Sequence, residues 1–467
     1  MTTVGTVFGS RLALKILFLI FAFICAANPV TGWADESPPG RQLSLLDVYQ
    51  LARESAPRLT IAGYRLDNAR AQKDIARGRF MPSLSLFGDW SENRVRYEGN
   101  ELGRLPTQEY PGERYGVQVR STLLNMRAFR DWERQDALAE RSEALLASAE
   151  IQLLTEVVTA YLRVLLSEEK LVQTTAELEA IERQLAEATA LYERSLLPVT
   201  QMLETQTRAD TLRAEVIDAR GQILIAREGL IQLVGRRDID LLAVSEKVSL
   251  SSTVSTAEAA AALAQQHDPA IEAAEQALKA AQKSVSKEKG SWIPEVDFVY
   301  NSQYSDVGFD NLTSPARTTD SYSISIRYLL FEGGAGVART RAAWADFYAA
   351  KSELDLANRE SGANARAAWV RLEVANERLI ATQQASRTSQ VNLEATEAAA
   401  KVGTVRLTDV LVALAQNTRA ARDLTQARFE AILSWLALEL ATGADPEVVA
   451  ASLSANVKQD NHMSSQR

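Results

Sequence analysis

Four short stretches of the chain alternate apolar and polar residues with a period of two, the pattern of β-strands that cover one face. In each stretch, serine, aspartate, arginine and other polar residues occupy the positions between the apolar ones. The pattern predicts two β-hairpins, at about 83–124 and 295–330. The apolar positions that share the predicted outer face are Leu84, Leu86, Trp90, Val117, Val119, Val296, Phe298, Tyr300, Tyr322, Ile324, Ile326 and Tyr328.

Each strand-like run is about ten residues long, which is the length that crosses a lipid bilayer as a tilted strand. An ordinary antiparallel sheet with one buried face alternates in the same way, so the pattern alone leaves both interpretations open. Within a membrane a sheet has to close, because an open edge leaves backbone groups without hydrogen-bond partners. Four strands are too few to close, so a membrane-spanning chain has to oligomerise, and three copies would supply twelve strands.

Very long helices are predicted from the absence of helix-breaking residues. Between Met126 and Ser195 there is neither proline nor glycine, and the stretch is rich in Ala, Leu, Glu, Gln and Arg, which favour helix. A helix of this length extends roughly 100 Å and has to pack against neighbours along its length. The predicted long helices and their return helices are about 126–194 with 199–235, and about 334–402 with 407–443.

The chain consists of two copies of one unit. Pro57 and Pro269 are 212 residues apart, and Gly235 and Gly443 are 208 residues apart, in similar surroundings. Each copy opens with a short helix, predicted from the capping-box spacing of Ser44 with Asp47 and of Ser255 with Glu258. The predicted organisation is a first repeat at 35–245, a second repeat at 246–445 and a polar, disordered C-terminal tail at 446–467.

The N-terminal residues 1–34 are predicted to be a secretory signal peptide. Arg11 and Lys15 precede an apolar run of about twelve residues, and Ala34 ends a small-residue cleavage motif. A membrane-spanning helix needs roughly twenty apolar residues, and no later stretch is expected to provide them. The single cysteine, Cys25, lies inside this segment. Cleavage therefore leaves a chain without a thiol, and lipidation of Cys25 is the alternative.

Composition and charge exclude several functional classes. The chain has 51 basic and 60 acidic side chains and a net charge of −9, or about −11 after cleavage, which excludes a generally basic nucleic-acid binder. The two histidines are far apart and provide no metal cluster; His267 is expected in a turn. The pair Gly333 and Gly334 is not followed by the lysine of a phosphate loop. We expect no enzyme, no cofactor and no metal.

From about Leu43 to Gly443 the sequence resembles the TolC family of outer-membrane efflux proteins. The similarity rests on the doubled unit, on the strand-to-helix joins at 123–125 and 330–334, and on the turn at 402–411. It implies a mainly α fold with a small β part: a homotrimer with a twelve-stranded barrel in the outer membrane and an α-helical barrel across the periplasm. It also implies two partners, a periplasmic adaptor and an inner-membrane pump.

The resemblance also implies a gate. Asp409 corresponds to an acidic residue that constricts the tunnel entrance in the family, whereas Val412 stands where the family carries a second acid. Glu204 is the repeat-equivalent of Val412 and is a candidate for the missing charge. The alternatives are that Asp409 only stabilises the start of a helix and that Glu204 lies on a solvated helix face.

Two turns are candidates for adaptor docking by the same resemblance. Val402, Gly403 and Thr404 match the family's docking turn. In the first copy Ser195, followed by Leu196, stands where the family usually has glycine. A left-handed serine costs about 1 kcal/mol, so this turn is expected to differ in shape.

The function implied by the resemblance is a passive trimeric exit duct for small molecules, gated at its periplasmic end. Two alternatives remain open: an outer-membrane duct for type I protein secretion, and a periplasmic coiled-coil adaptor that does not enter the membrane. The sequence does not decide the exported substrate.

Overall fold

The computed structural model describes residues 42–95, 108–242, 254–306, 315–402 and 404–458. The predicted signal peptide with Cys25, and Gly403 of the predicted docking turn, lie outside the described residues. From Gln42 onward the chain forms one compact unit. It consists mainly of helices, with one four-stranded sheet.

The helices and strands follow the order of the two repeats. The described residues contain nine helices: α1 (Leu45–Ser55), α2 (Pro57–Gly78), α3 (Met126–Glu193), α4 (Val199–Val234), α5 (Ala257–His267), α6 (Pro269–Gly290), α7 (Ala335–Lys401), α8 (Leu407–Ala441) and α9 (Pro446–Lys458). The four strands are β1 (Ser83–Val95), β2 (Gln108–Leu124), β3 (Glu295–Ser305) and β4 (Arg317–Arg327).

The sheet joins the hairpins of the two repeats. Its strand order is β1-β2-β3-β4, and every neighbouring pair is antiparallel. The junction between the hairpins is the β2–β3 pairing, which has one register shift near Thr122 and Leu124. Among the strands that the structure describes, β1 and β4 are therefore the two edges of the sheet.

The long helices α3 and α7 have 68 and 67 residues, about 100 Å each. Near the sheet, α3 packs between α2 and α6, and α6 packs against α7. Towards the other end, α3 packs between α4 and α8, and α8 packs against α7. Both halves are thus four helices side by side, with α7 at one edge and α2 or α4 at the other.

A belt of short helices surrounds the middle of the long ones. Helices α1, α5 and α9 pack with α3, α4, α7 and α8 around the main apolar core. The hydroxyl group of Tyr161 donates a hydrogen bond to the carbonyl oxygen of Leu242 (2.6 Å). Contrary to expectation, α3 is by length and composition apolar enough to cross a membrane. Its residues Leu154 and Val157 are instead fully buried in this belt.

The predicted disordered tail is wrong for residues 446–458, which form α9. Asp445 caps this helix by accepting a hydrogen bond from the backbone N–H of Glu447 (2.8 Å). Val449, Ala450 and Leu453 are buried against the belt. Helix α9 packs on α1 at the start of the described chain. The few apolar residues of a short amphipathic helix are hard to distinguish from a polar tail.

The caps of the two opening helices differ. Ser44 and Asp47 form the predicted capping box, in which the Ser44 N–H donates to the Asp47 carboxylate (2.9 Å). In the second repeat the capping residue is Thr256, whose Oγ1 accepts from the N–H of Ala259 (3.1 Å). The prediction of Ser255 is wrong by one residue, because Ser255 and Thr256 are both good caps.

Candidate functional site

The sheet has one apolar face. Residues opposite one another in neighbouring strands lie on the same face, and the row of Leu84, Val119, Tyr300 and Tyr322 runs across all four strands. On the same face, Phe298 lies opposite Ile324 and Val296 lies opposite Ile326. All the predicted outer-face residues lie on this face except Tyr328, which directly follows β4.

This apolar face is largely uncovered in the single chain. Leu86 and Tyr322 are 80% and 72% exposed. The rings of Tyr300 and Tyr322 stack with their centres 4.8 Å apart, as do those of Tyr115 and Tyr304. A contiguous exposed apolar surface of this kind is a site for lipid or protein contact.

The opposite face of the sheet is polar. Arg114 forms an ion pair with Asp89 (3.1 Å), and Arg120 forms one with Asp297 (2.5 Å), each between neighbouring strands. Thr122 donates a further hydrogen bond to Asp297 (3.0 Å). A sheet with one apolar and one polar face can separate lipid from water.

Sheet and helices are open on the same two sides. Strand β1 follows edge helix α2, and β4 precedes edge helix α7. Every residue of β4 is exposed. The helical edges also carry exposed apolar side chains, which are Ile61, Ile217, Leu224, Ile225, Leu356, Val370 and Val374.

Beneath the sheet, a buried carboxylate joins three helices. Asp131 on α3 is 3% exposed and pairs with Arg79 at the end of α2 (2.6 Å), Lys287 of α6 (2.9 Å) and Arg134 (3.0 Å). Burial by itself would raise the pKa of Asp131, but the hydrogen bonds and charges of Lys287 and Arg134 hold it below its usual value. The cluster fixes the helices from which the strands emerge.

A second charge cluster continues this layer towards α7. Glu288 of α6 lies between Arg127 of α3 (3.6 Å) and Arg339 of α7 (3.4 Å). Arg339 also pairs with Glu332. Neither cluster was predicted from the sequence, because helix periodicity does not tell a buried acid from the many exposed ones.

The predicted gate residues lie at the far end of the helices. Asp409 is exposed, and its carboxylate accepts a hydrogen bond from the backbone N–H of Arg406 (3.0 Å), which caps α8. Val412 is 57% exposed, and Glu204 on α4 is exposed. Among the described residues of the chain, no hydrogen bond or ion pair joins Asp409 to Glu204.

Between Asp409 and Gln426 the exposed residues of α8 recur every three or four positions along one stripe. They are Asp409, Val412, Gln416, Arg419, Asp423 and Gln426. The other sides of α8 pack against α3 and α7. This stripe is therefore the face of α8 that remains open to solvent, and Asp409 and Val412 lie at its end.

The two predicted docking turns form the tips of the helical hairpins. Ser195 is left-handed, with φ 58°, so the first turn keeps the conformation that glycine favours. Leu196 and Val402 are 69% and 75% exposed. The N–H and the hydroxyl group of Thr404 both donate to the carbonyl oxygen of Ala399 (3.0 and 2.9 Å).

An amphipathic sheet mounted on helices of about 100 Å is the arrangement expected of an outer-membrane channel with a helical extension. The sequence pattern of the outer membrane efflux protein family matches residues 48–236 and 260–444, and the chain therefore belongs to this family. The predicted family and the mainly α fold with a small β part are confirmed. The protein is an outer-membrane protein with a periplasmic part, and it is not an enzyme.

Named relatives and solved structures agree with this family. The chain is 25% identical over 419 residues to the outer membrane protein TolC of Vibrio cholerae serotype O1, covering 89% of this chain and 94% of that protein. It is also 25% identical to the alkaline protease secretion protein AprF of Pseudomonas aeruginosa, covering 88% and 87%. The crystal structure of VceC from Vibrio cholerae superposes with a TM-score of 0.75 at 18% identity, covering 86% and 96%.

Proposed function

We propose that three copies of this chain form a passive exit duct, which a periplasmic adaptor links to an inner-membrane pump. The observation that supports the trimer best is the pair of free edges on the same two sides of the sheet and of the helical layer. Because β1 and β4 run in opposite directions, β4 of one copy and β1 of the next would pair antiparallel. Repeating this contact closes twelve strands without a free edge.

In the closed barrel the apolar face of the sheet would contact outer-membrane lipid, and the polar face would line water. The paired charges at Arg114 with Asp89 and at Arg120 with Asp297 suit a wet interior. The contacting side chains would be the outer-face residues named above. The exposed apolar residues of α4 and α7 would be covered by the neighbouring copies.

The periplasmic end would contain the gate and the docking surface. Asp409 would form the charged ring at the entrance, with Glu204 as a second contributor. Val402, Gly403 and Thr404 in one tip, and Ser195 and Leu196 in the other, would contact the adaptor. Exposure of Leu196 and Val402 supports this role, because exposed apolar residues at a tip favour protein contacts.

We propose small molecules, as in drug or toxic-compound efflux, as the exported class. The alternative is type I protein secretion. It is favoured by the 25% identity to AprF, which equals the identity to TolC of Vibrio cholerae; the name of AprF refers to secretion of an alkaline protease. A deletion strain separates the two. Increased sensitivity to small toxic compounds supports efflux, whereas loss of a secreted protein with unchanged sensitivity supports secretion. The family assignment does not support the remaining alternative, that this chain is itself a periplasmic coiled-coil adaptor.

Cysteine cross-linking tests the trimer. The only natural cysteine is Cys25, in the predicted signal peptide. After cleavage, any disulfide cross-link can therefore form only between introduced cysteines. Leu84→Cys on β1 is combined in turn with Ile324→Cys and Ile326→Cys on β4, in outer-membrane fractions. We expect cross-linked species up to a trimer for at least one pair. Leu84→Cys alone and the mid-sheet pair Leu84→Cys with Val299→Cys are the controls. Recovery in the soluble periplasmic fraction, or cross-linking that stops at a dimer, would contradict the proposal.

A further inference from the structure

A buried charge cluster joins the two helical hairpins partway along their length. Glu177 of α3 is 3% exposed and pairs with Arg208 of α4 and with Arg422 of α8 (3.2 Å). Glu215 of α4 lies between the same two arginines, at 3.6 and 3.9 Å. The four charges cancel, so the cluster is neutral although Glu177 is buried.

Two further hydrogen bonds strengthen the connection between α3 and α8. Arg422 also donates to Thr174 Oγ1 (3.0 Å), and Gln173 donates to Thr425 Oγ1 (3.1 Å). Helix α3 belongs to the first hairpin and α8 to the second. These contacts therefore cross between the hairpins, in contrast to Arg378–Glu430, which joins α7 and α8 within one hairpin.

Directly below, on the side towards the tips, lies a small apolar cluster. Ile181, Ala209, Leu212 and Leu414 are buried together, from three different helices. Leu393 of α7 packs against them. We call the charge cluster around Glu177 together with this apolar cluster the hairpin node, because all four long helices meet in it.

Beyond the hairpin node the hairpins separate. A groove of about 700 Å³ lies between them, with Gln184 and Leu191 of α3 on one wall and Lys401 and Val410 on the other. The amide oxygen of Gln184 is buried there without a hydrogen-bond partner. Among the described residues of the tips, no hydrogen bond or ion pair crosses from one hairpin to the other.

We propose that the hairpin node is a fulcrum: the hairpins are held together at Glu177, and opening of the periplasmic end is confined to the segments beyond it. Glu177 is sixteen residues, or about 24 Å, before the end of α3 at Glu193, and the apolar part of the hairpin node occupies the nearer end of this segment. Arg422 is at a similar distance from the start of α8. This inference rests on the proposed duct function, because it assigns the part of the molecule that moves during gating.

Hydrogen exchange read by mass spectrometry on the full-length protein tests the fulcrum. In the unmodified protein we expect fast exchange in the segments beyond the hairpin node, 186–193 and 407–410, and slow exchange in 160–177 and 422–435. Arg422→Met should extend the fast region past Glu177, with protection in 160–177 and 422–435 reduced about tenfold or more. The matched control is Arg213→Met, which breaks the exposed Arg213–Glu182 pair between α3 and α4 within one hairpin (2.7 Å).

A conservative variant and a second readout complete the test. Arg422→Lys keeps the charge, so protection should be restored in large part. If Arg422→Met does not assemble, Thr425→Val carries the test: it removes the hydrogen bond from Gln173, and it should lower protection in the same segments by a smaller factor. Single-channel conductance in planar bilayers should rise for Arg422→Met and stay unchanged for Arg213→Met. An exchange boundary that stays at its original position in Arg422→Met would overturn the fulcrum. Absence of any channel in the unmodified protein would instead overturn the duct function.

Discussion

At the scale of single residues, close packing at the end of α8 depends on Gly443. It has φ 89°, in the left-handed region that side chains disfavour. A Cβ atom there would lie 2.3 Å from Cβ of His267. His267, expected in a turn from the sequence, is the last residue of α5. The contact between Gly443 and His267 therefore holds the end of α8 against the end of α5, both within the second repeat.

Gly443→Ala should lower the free energy of unfolding by about 2–4 kcal/mol, because steric overlap and the left-handed backbone both act against alanine. Urea titration followed by circular dichroism measures the change. Gly221→Ala is the control: it lies inside α4 with no atom near its added Cβ, and it should be neutral or stabilising by up to about 1 kcal/mol. Equal behaviour of the two variants would contradict this account.

The buried Asp131 gives the protein a pH-dependent stability. Its pKa in the folded protein is below the usual value of about 3.9. Its stabilising contribution is therefore fully present above about pH 4 and is lost as the pH falls through the folded-state pKa. Asp131→Asn should lower the free energy of unfolding by about 1.5–3 kcal/mol at pH 7. The difference from the unmodified protein should shrink towards pH 2, as measured by urea titration across this range. A difference that is constant with pH would be inconsistent with this role.

At the scale of elements, the sheet is useful because its two faces differ. Val119 is on the apolar face, opposite Tyr300, and its neighbour Gln118 is on the polar face, opposite Asn301. Both lie in β2, an inner strand, so neither takes part in the edges. The two positions form a matched pair in the same stretch of backbone.

Val119→Arg should destabilise the membrane-inserted protein by about 2–4 kcal/mol if it lies near the middle of the bilayer. Gln118→Arg should have little effect, because it faces water. The measurement is the yield of heat-modifiable trimer in the outer-membrane fraction. Equal yields for the two variants would show that the faces do not separate lipid from water.

The elements also explain how far the sequence could be used for prediction. The hairpins and long helices were predictable, because alternation, the absence of proline and the scarcity of glycine are local signals. Helix α9 was not, since Val449, Ala450 and Leu453 gain their role only by packing on the belt. Glu177 was not singled out either: many acids follow one another along α3, and only the approach of α8 decides which one is buried. The predicted gate and docking residues that the structure describes lie at the tips, and their roles remain predictions.

At the scale of the whole molecule, the proposed trimer brings three copies of each α8 stripe together around one axis. Asp409→Ala should raise single-channel conductance in planar bilayers, because it removes a charged side chain at the narrow end. Asp423→Ala is the control, on the same stripe and about 21 Å further from the tip, and it should leave the conductance closer to that of the unmodified channel. Unchanged conductance for Asp409→Ala would refute its role in the gate.

The packing of α9 on α1 has a consequence for biogenesis. Arg53 and Glu447 form an ion pair across 394 residues of sequence (3.3 Å), and the buried faces of the two helices share one core. Contacts of such sequence separation form late, because the whole intervening chain must first be available. Because α1 precedes α9 by nearly the whole described chain, its packing can be completed only after α9 has been made and exported. We expect a chain interrupted before Pro446 to leave exposed the part of α1 that contacts α9.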